Sequence, residues 1–190
     1  MTTPMTPLAV SACTVTSALG CGLAAQRDAL LRGRGGLRAN DFGSAPRLGW
    51  IGRVDGVEDA ALPAALAAWD CRNHRLAWLG LRQDGFLDRV RAARERYGAR
   101  RVALLLGTST ASIGATEEAY RRLDADGRFP ADLRRPALHA PDSLSAFAAA
   151  ALALDGPCLT VSTACSSSAK VFASAARLLA LGMGEYLRTG

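Results

Sequence analysis

The feature that most constrains the fold of this chain is the apolar run at 101–107, RVALLLG. It follows the stretch 70–97, in which apolar residues recur at the three- and four-residue steps of one helix face. A helix that leads into an uninterrupted apolar strand is typical of a parallel sheet whose two faces are both covered. The run therefore predicts a layered α/β domain with a buried, mostly parallel sheet.

The rest of the chain alternates between strand and helix patterns in the same way. Strands are predicted at 8–16, 49–54, 101–107 and 158–163. Helices are predicted at 23–31, 70–97, 117–123, 144–154 and 166–181, with Asp70 as the N-cap of the long one and Gly98 as its stop. We interpret 1–190 as one domain that contains an inserted cap or lid region at 115–156.

The composition describes a globular chain without an export signal or a membrane span. Basic residues exceed acidic ones by 23 to 17, but only Lys170 is a lysine, and no nucleic-acid-binding motif accompanies the charge. No apolar run reaches the roughly 18–20 residues that a membrane helix needs. The segment 1–10 lacks a basic stretch followed by a long apolar one, so we expect a cytoplasmic protein with no nucleic-acid partner.

The five cysteines do not indicate a metal or redox site. No two of them have the CxxC spacing that is typical of zinc sites and redox pairs. All five are expected to be reduced, and most of them to be small, buried apolar residues. The glycines form neither a GxxxxGK[ST] nor a GxGxxG motif, so we expect no metal and no bound cofactor.

One cysteine stands apart from the others. The segment 157–170 predicts a strand that runs into Ala164, then Cys165, then a helix that begins directly after it. Unpaired N–H groups and the positive dipole end at such a helix start favour a thiolate and stabilise an oxyanion. The junction predicts a nucleophilic cysteine at a strand-to-helix elbow. The spacing alone leaves a buried structural cysteine open as the alternative. Lys170 faces away from Cys165 and is interpreted as a solvated lysine.

Three stretches resemble the β-ketoacyl-acyl-carrier-protein synthases, a family of thiolase-like condensing enzymes. The string VSTACSSSAKVFASAARLL at 161–179 is similar to the family's active-site elbow. The segment 107–114 resembles its glycine-containing loop, and 152–165 matches its LxLxGPxxxxxxAC register. The resemblance implies a thiolase-like half-domain, layered α/β with a mostly parallel sheet and the nucleophile at the elbow.

The resemblance also implies a reaction and its residues. In that family a cysteine accepts an acyl group, delivered as a phosphopantetheine thioester by an acyl carrier protein, and the acyl-enzyme condenses with malonyl-carrier after decarboxylation. Cys165 matches the nucleophile, and its backbone N–H matches half of the oxyanion hole. Thr110 matches a position that gates the acyl pocket, and His139 falls in a stretch that lines the pocket from the partner subunit. The implied context is fatty-acid, aryl-polyene or polyketide biosynthesis by a homodimer or heterodimer.

The chain also departs from the family pattern. Family members carry a second half that supplies catalytic histidines, a lysine and the other oxyanion N–H. Here the histidines are His74 and His139, and neither lies in a family histidine motif. We interpret His74 as a surface or helix-capping residue, and 183–190 does not resemble the strand that follows in relatives. We therefore expect an apparently truncated amino-terminal domain that is incomplete for condensation.

Two other functions remain open. A cysteine hydrolase would use the same elbow but needs a base beside Cys165, for which His139 is the candidate. A non-catalytic fragment would bind a carrier protein, or a complementary chain, without completing the chemistry. Arginines at 89–101 could form a basic surface for docking the carrier, although a solvated helix face is the favoured interpretation. These residues are Arg89, Arg91, Arg94, Arg96, Arg100 and Arg101.

Overall fold

The computed structural model describes residues 7–43, 46–183 and 186–189. The strands are β1 (Thr16–Ser17), β2 (Gly20–Cys21), β3 (Leu37–Ala39), β4 (Trp50–Gly52), β5 (Val102–Gly107), β6 (Cys158–Val161) and β7 (Tyr186–Thr189). The helices are α1 (Gly22–Leu31), α2 (Arg72–Leu81), α3 (Phe86–Tyr97), α4 (Ile113–Arg121), α5 (Pro136–His139), α6 (Ser143–Leu152) and α7 (Ser167–Ala180). Short 3-10 turns lie at Ala64–Trp69, Ala99–Arg101 and Ala131–Leu133.

A parallel sheet with β5 at its centre confirms the predicted α/β class. Strand β5 pairs in parallel with β6 on one side and with β7 on the other. Two small antiparallel hairpins, β1–β2 and β3–β4, lie outside this sheet. Within the described residues, no helix is long and apolar enough to cross a bilayer.

Both faces of β5 are covered by helices, as the apolar run predicts. Because successive side chains of a strand point to opposite faces, Val102 and Leu104 pack with α3 and α6, and Ala103 and Leu105 pack with α7. All four of these side chains are buried. The resulting three layers place the carboxyl end of β5 at the edge where the sheet meets the start of α7.

The long helix predicted over 70–97 is broken in two. Asp84 and Gly85 adopt left-handed conformations with φ of +54° and +67°, and a right-handed helix cannot continue through them. The break lets α2 pack against α6 while α3 turns back to cover β5. The N-cap of α2 is Cys71 rather than the predicted Asp70.

The strand predictions at the two ends of the chain were wrong. Segment 8–16 is not a strand except at Thr16, and Tyr186–Thr189 is one. Strands β6 and β7 occupy both edges of β5, so segment 8–15 does not pair with the central strand. That segment packs through side chains instead, and an apolar cavity of about 490 Å³ remains between it and the sheet.

The side chain of Asp84 ties together segments that are distant in the sequence. Its carboxylate accepts hydrogen bonds from Thr14 Oγ1 at 2.8 Å and from the backbone N–H of Leu23 at 3.0 Å. Leu23 lies in the first turn of α1, whose N–H groups have no partner within the helix. Asp84 therefore caps α1 from another element of the fold.

We expect Asp84→Ala to lower the free energy of unfolding by about 1 kcal/mol, the usual effect of losing a cap. Asp84→Asn keeps an acceptor oxygen and tolerates the left-handed conformation, so it should retain most of the stability. The matched control is Asp55→Ala, because the Asp55 side chain is 90% exposed. Urea denaturation measures the free energy of unfolding of all three variants. An equal decrease in Asp84→Ala and Asp55→Ala would contradict the capping role of Asp84.

Candidate functional site

Two loops meet at the carboxyl edge of the sheet. One follows β5 and the other follows β6, and ligand sites in open α/β sheets lie at this edge. The backbone N–H of Thr108 donates to Val161 O at 3.1 Å, which holds the two strand ends together. The Ser167 hydroxyl lies 3.4 Å from Thr108 O and links the first loop to the start of α7.

The turn that carries Cys165 is tight and strained. Ala164 has a φ of +52°, which costs an L-residue with a Cβ about 1–2 kcal/mol. Ser167 Oγ accepts the N–H of Thr163 at 2.8 Å and donates to Ala164 O at 2.7 Å, so one buried hydroxyl closes the turn. A second hydroxyl, that of Ser166, donates to Thr163 O at 2.8 Å. This turn leaves Cys165 exposed.

The position of Cys165 relative to α7 has electrostatic consequences. Cys165 directly precedes Ser166, the N-cap of this 14-residue helix. The dipole of a helix places partial positive charge at its N-terminus, which favours an anionic sulfur or oxygen there. The arrangement suits a thiol that attacks a carbonyl and an oxyanion that forms beside it.

A glycine brings β5 into direct contact with this helix start. A Cβ on Gly107 would lie 2.8 Å from both the carbonyl carbon of Ser167 and the backbone nitrogen of Ser168. Real Cβ atoms do not approach backbone so closely, and the contacting atoms cannot swing aside as a side chain would. Gly107 is thus required for the close approach that sets the elbow against the sheet.

The structure places two of the sequence-predicted site residues at one cavity. Thr110 and His139 both line a cavity of about 250 Å³ that Ser162, near the elbow, also lines. Cys165 itself does not contribute to the described lining of this cavity. Most other lining side chains carry hydroxyl groups or are small: Thr108, Ser109, Ala111, Ser112, Thr116, Ala140 and Pro141.

His139 has hydrogen-bond partners at both ring nitrogens. A carbonyl only accepts, so Nε2 donates to Leu133 O at 2.8 Å, and Nδ1 accepts from Thr116 Oγ1 at 2.9 Å. The ring also packs against Phe129, with centroids 5.1 Å apart. His139 therefore anchors the loop that precedes it, and this engagement weighs against a role as the base of a cysteine hydrolase.

The interpretation of His74 as a surface or capping residue was wrong. Its side chain is fully buried and stacks on Phe147 with centroids 4.6 Å apart. Nδ1 donates to Trp69 O at 2.7 Å, and Nε2 accepts from Ser112 Oγ at 3.2 Å. The burial arises because α2 is enclosed on all sides: every residue at 73–81 is at least partly buried. The available signal was the apolar stretch 76–81 that follows His74 on the same helix.

Cys71 belongs to the same buried region. Its thiol donates to Ser112 Oγ at 3.7 Å. Burial by itself raises the pKa of this thiol, but hydrogen bonds with His74 and Ser112 outweigh burial and leave the pKa below its ordinary value. Cys158 behaves in the opposite way, since burial and the nearby Asp142 carboxylate both raise its pKa.

We expect these opposite shifts to separate the two thiols by pH. The thiolate is the species that reacts with iodoacetamide, so the labelling midpoint of Cys71 should lie at lower pH than that of Cys158. Peptide mass spectrometry after labelling across a pH series measures, for each thiol, the pH at which the labelling rate reaches half its maximum. Exposure changes the maximum rate of each thiol but not this midpoint pH. The two midpoints should converge in denaturing urea, and a reversed order in the folded chain would contradict the assignment.

Within the described part of the chain, no group of three or more His, Cys, Asp or Glu side chains is arranged to hold a metal ion. The groups that this edge of the sheet does present are the Cys165 thiol, several hydroxyl groups and the backbone N–H groups at the start of α7.

Comparison with known proteins agrees with the geometry. The model of the family described as "Beta-ketoacyl synthase, N-terminal domain" matches residues 75–187. A ketosynthase (ApeO) in complex with its chain length factor (ApeC) from Xenorhabdus doucetiae shares 27% identity and a TM-score of 0.70, over 88% of this chain and 42% of that one. A search of curated proteins gave no match.

A second solved structure is similar to this chain in fold. The ishigamide ketosynthase/chain length factor shares 21% identity and a TM-score of 0.71, over 90% of this chain and 49% of that one. The chain thus spans less than half the length of either structure.

Proposed function

This chain belongs to the β-ketoacyl synthase family, and from that premise we propose that Cys165 is the acyl-accepting nucleophile of a condensing enzyme. The observation that carries the proposal is the exposed Cys165 thiol at the start of α7, on a strained turn at the carboxyl edge of a parallel sheet. The substrate is an acyl thioester on the phosphopantetheine arm of an acyl carrier protein.

The first step is a thioester exchange. The Cys165 thiolate attacks the acyl carbonyl, a new C–S bond forms at Cys165, and the phosphopantetheine sulfur leaves and takes up a proton. Negative charge develops on the carbonyl oxygen in the transition state, where preorganised N–H donors have their largest effect. The backbone N–H of Cys165 is the proposed donor on this chain, and the positive end of α7 adds to it.

The second step is condensation with a malonyl-carrier. Loss of CO₂ from the malonyl group leaves a carbanion that attacks the acyl carbonyl, so the Cys165–acyl bond breaks and a β-ketoacyl-carrier is released. Decarboxylation needs donors to the developing enolate. Among the described residues, His74 and His139 are both engaged at each ring nitrogen by other groups. We propose that the remaining donors come from protein outside these 190 residues.

Two partners follow from this proposal. An acyl carrier protein is acidic, and the exposed arginines of α3, among them Arg89 and Arg96, offer it a basic face. The ketosynthase from Xenorhabdus doucetiae is a complex with a chain length factor. We propose a dimer for this protein as well, either with its own copy or with a related chain.

The engaged histidines support a second candidate function for these 190 residues taken alone. In that candidate the chain binds the carrier and loads Cys165 but does not decarboxylate malonyl-carrier. The two candidates share the loading step and differ only in whether a β-ketoacyl product forms.

One experiment tests both. The full chain is incubated with an acyl-carrier thioester and its intact mass is measured, with the unacylated carrier as the control. A mass increase equal to the acyl group supports loading of the chain, and later addition of malonyl-carrier separates condensation from loading alone. Absence of the adduct on a chain that circular dichroism shows to be folded would overturn both candidates.

A further inference from the structure

A buried polar cluster lies behind the loop that lines the 250 Å³ cavity. Ser112 Oγ is at its centre and donates to Nε2 of His74, 3.2 Å away. The same oxygen accepts from the Ser143 hydroxyl at 3.0 Å and from the Cys71 thiol at 3.7 Å. His74, Ser112 and Ser143 are each at most 3% exposed. The cluster joins α2, α4 and α6 at one point.

The imidazole has a single arrangement that satisfies these contacts. Trp69 O accepts only, so Nδ1 carries the proton, and Nε2 is then the acceptor. The parallel stack on Phe147 and the edge contact with Trp69 hold the plane of the ring. His74 thus presents a fixed acceptor to the hydroxyl of Ser112.

Ser112 in turn determines where the preceding loop ends. It is the N-cap of α4, and the loop before it contains Ala111 at a φ of +46°. At its start, that loop is anchored through Thr108 to Val161 and Ser167. Further along, the N–H of Ala111 donates to Thr108 Oγ1 at 3.0 Å, and the N–H of Ile113 donates to Thr110 O at 3.1 Å. Both of these bonds lie within the loop itself. The packing of Gly107 on α7 fixes the start of the loop, and the hydrogen bond between Ser112 and His74 fixes its end.

We infer that His74 is a positioning residue which, through Ser112, holds the loop 108–112 as one wall of an acyl-binding cavity that His139 and Ser162 also line. The cavity's role in acyl binding rests on the proposed function, whereas the loop's dependence on His74 does not. His74 touches no substrate in this proposal. It acts by removing the conformational freedom of the loop that carries Thr110, so that the cavity is formed before the acyl group arrives.

Two replacements of His74 separate its two hydrogen bonds. In His74→Asn the side-chain amide can still donate to Trp69 O but is too short to reach Ser112. In His74→Gln the terminal amide oxygen lies about where Nε2 does and can accept from Ser112. Ser112→Ala removes the same hydrogen bond from the other side, together with the contacts of that oxygen with Ser143 and Cys71. Val90→Ala is the matched control, since Val90 is equally buried but lies on α3 in a different cluster.

Hydrogen exchange of the full chain tests the positioning role directly. We expect the amides at 111–116 to exchange about tenfold faster in His74→Asn and Ser112→Ala, with recovery in His74→Gln and no local change in Val90→Ala. Unchanged exchange in either folded variant that lacks the bond would overturn the inference. An equal rise along the whole chain, as in a merely destabilised variant, would overturn it too.

A second measurement tests the link to acyl binding. The rate of Cys165 acylation by an octanoyl-pantetheine thioester should fall about tenfold in Ser112→Ala, because a misplaced wall impairs orientation of the acyl group. Alkylation of Cys165 by iodoacetamide needs no cavity and should stay within about twofold. If the acylation rate and the alkylation rate of Cys165 fell by the same factor in Ser112→Ala, the proposed role of the loop 108–112 in acyl binding would be overturned. If the unmodified chain is not acylated at all, the proposed function fails, and the exchange data still decide whether His74 positions the loop.

Discussion

Replacing Cys165 with alanine is expected to abolish acyl transfer from the carrier thioester, with a fall in rate of at least about a thousandfold. None of the other four thiols is both exposed and at a helix start, because Cys21 and Cys71 are N-caps but only partly exposed. Cys158 has a raised pKa, and the Cys71 thiol is half-buried and bonded to Ser112. Cys13 is exposed but precedes no helix start. Because Cys165 is exposed, the substitution should leave the thermal midpoint nearly unchanged.

Matched substitutions make this result specific. Cys158→Ser and Cys13→Ser should keep the acyl adduct, since their thiols lack the N-terminal helix environment. Cys71→Ser is the most informative control, because the Cys71 pKa is lowered and its thiolate is the strongest competitor for an electrophile. An adduct that persists in Cys165→Ala and disappears in Cys71→Ser would move the nucleophile to Cys71. Peptide mapping of the adduct decides between them.

The substitution Gly107→Ala is expected to lower the free energy of unfolding by about 3 kcal/mol, at the upper end of what overpacking costs. The added methyl group would meet the backbone of Ser167 and Ser168 at 2.8 Å, so β5 and α7 must separate. Separation shifts the turn that presents Cys165. We therefore expect the acylation rate to fall together with stability, which urea denaturation and the intact-mass assay measure.

The same substitution at another glycine supplies the control. Gly114 lies in α4 with an ordinary helical φ, and a methyl group added there would meet no atom within 4 Å. Alanine at this position should stabilise the chain by about 0.5–1 kcal/mol, because glycine in a helix loses more backbone entropy on folding. If Gly107→Ala lowered the free energy of unfolding by no more than about 0.5 kcal/mol, the sheet and the helix would have adapted to the methyl group without strain, and the prediction would be wrong.

Several parts of the fold follow from local patterns. A strand was predicted at 101–107 because an unbroken apolar run is stable only between two covered faces. Strand β5, at Val102–Gly107, and the burial of its first four residues confirm this. The helices α1, α6 and α7 begin and end within one or two residues of the predicted bounds, since glycine, proline and small polar residues mark their ends. The elbow at Cys165 lies between the predicted strand and helix for the same reason.

Other features depended on pairing partners that no local pattern specifies. Segment 8–16 has the composition of a strand, but β6 and β7, rather than this segment, pair with the central strand β5. The chain at 186–189 is less apolar and still pairs, because it reaches one edge of β5. The helix at 70–97 breaks at Asp84, where the carboxylate gains Thr14 and the α1 amide as partners from outside the helix.

The amino-acid sequence by itself determined the layer order, the apolar centre of the sheet and the placement of Cys165 at the start of a helix. These are properties of neighbouring residues, and short-range periodicity and chain sterics decide them. Tertiary structure alone decided that His74 is buried, that His139 is an anchor and that Thr110 shares its cavity. Each of these depends on which distant groups satisfy a hydrogen bond or fill a space, and a buried polar ring is stable only where the fold supplies both of its partners.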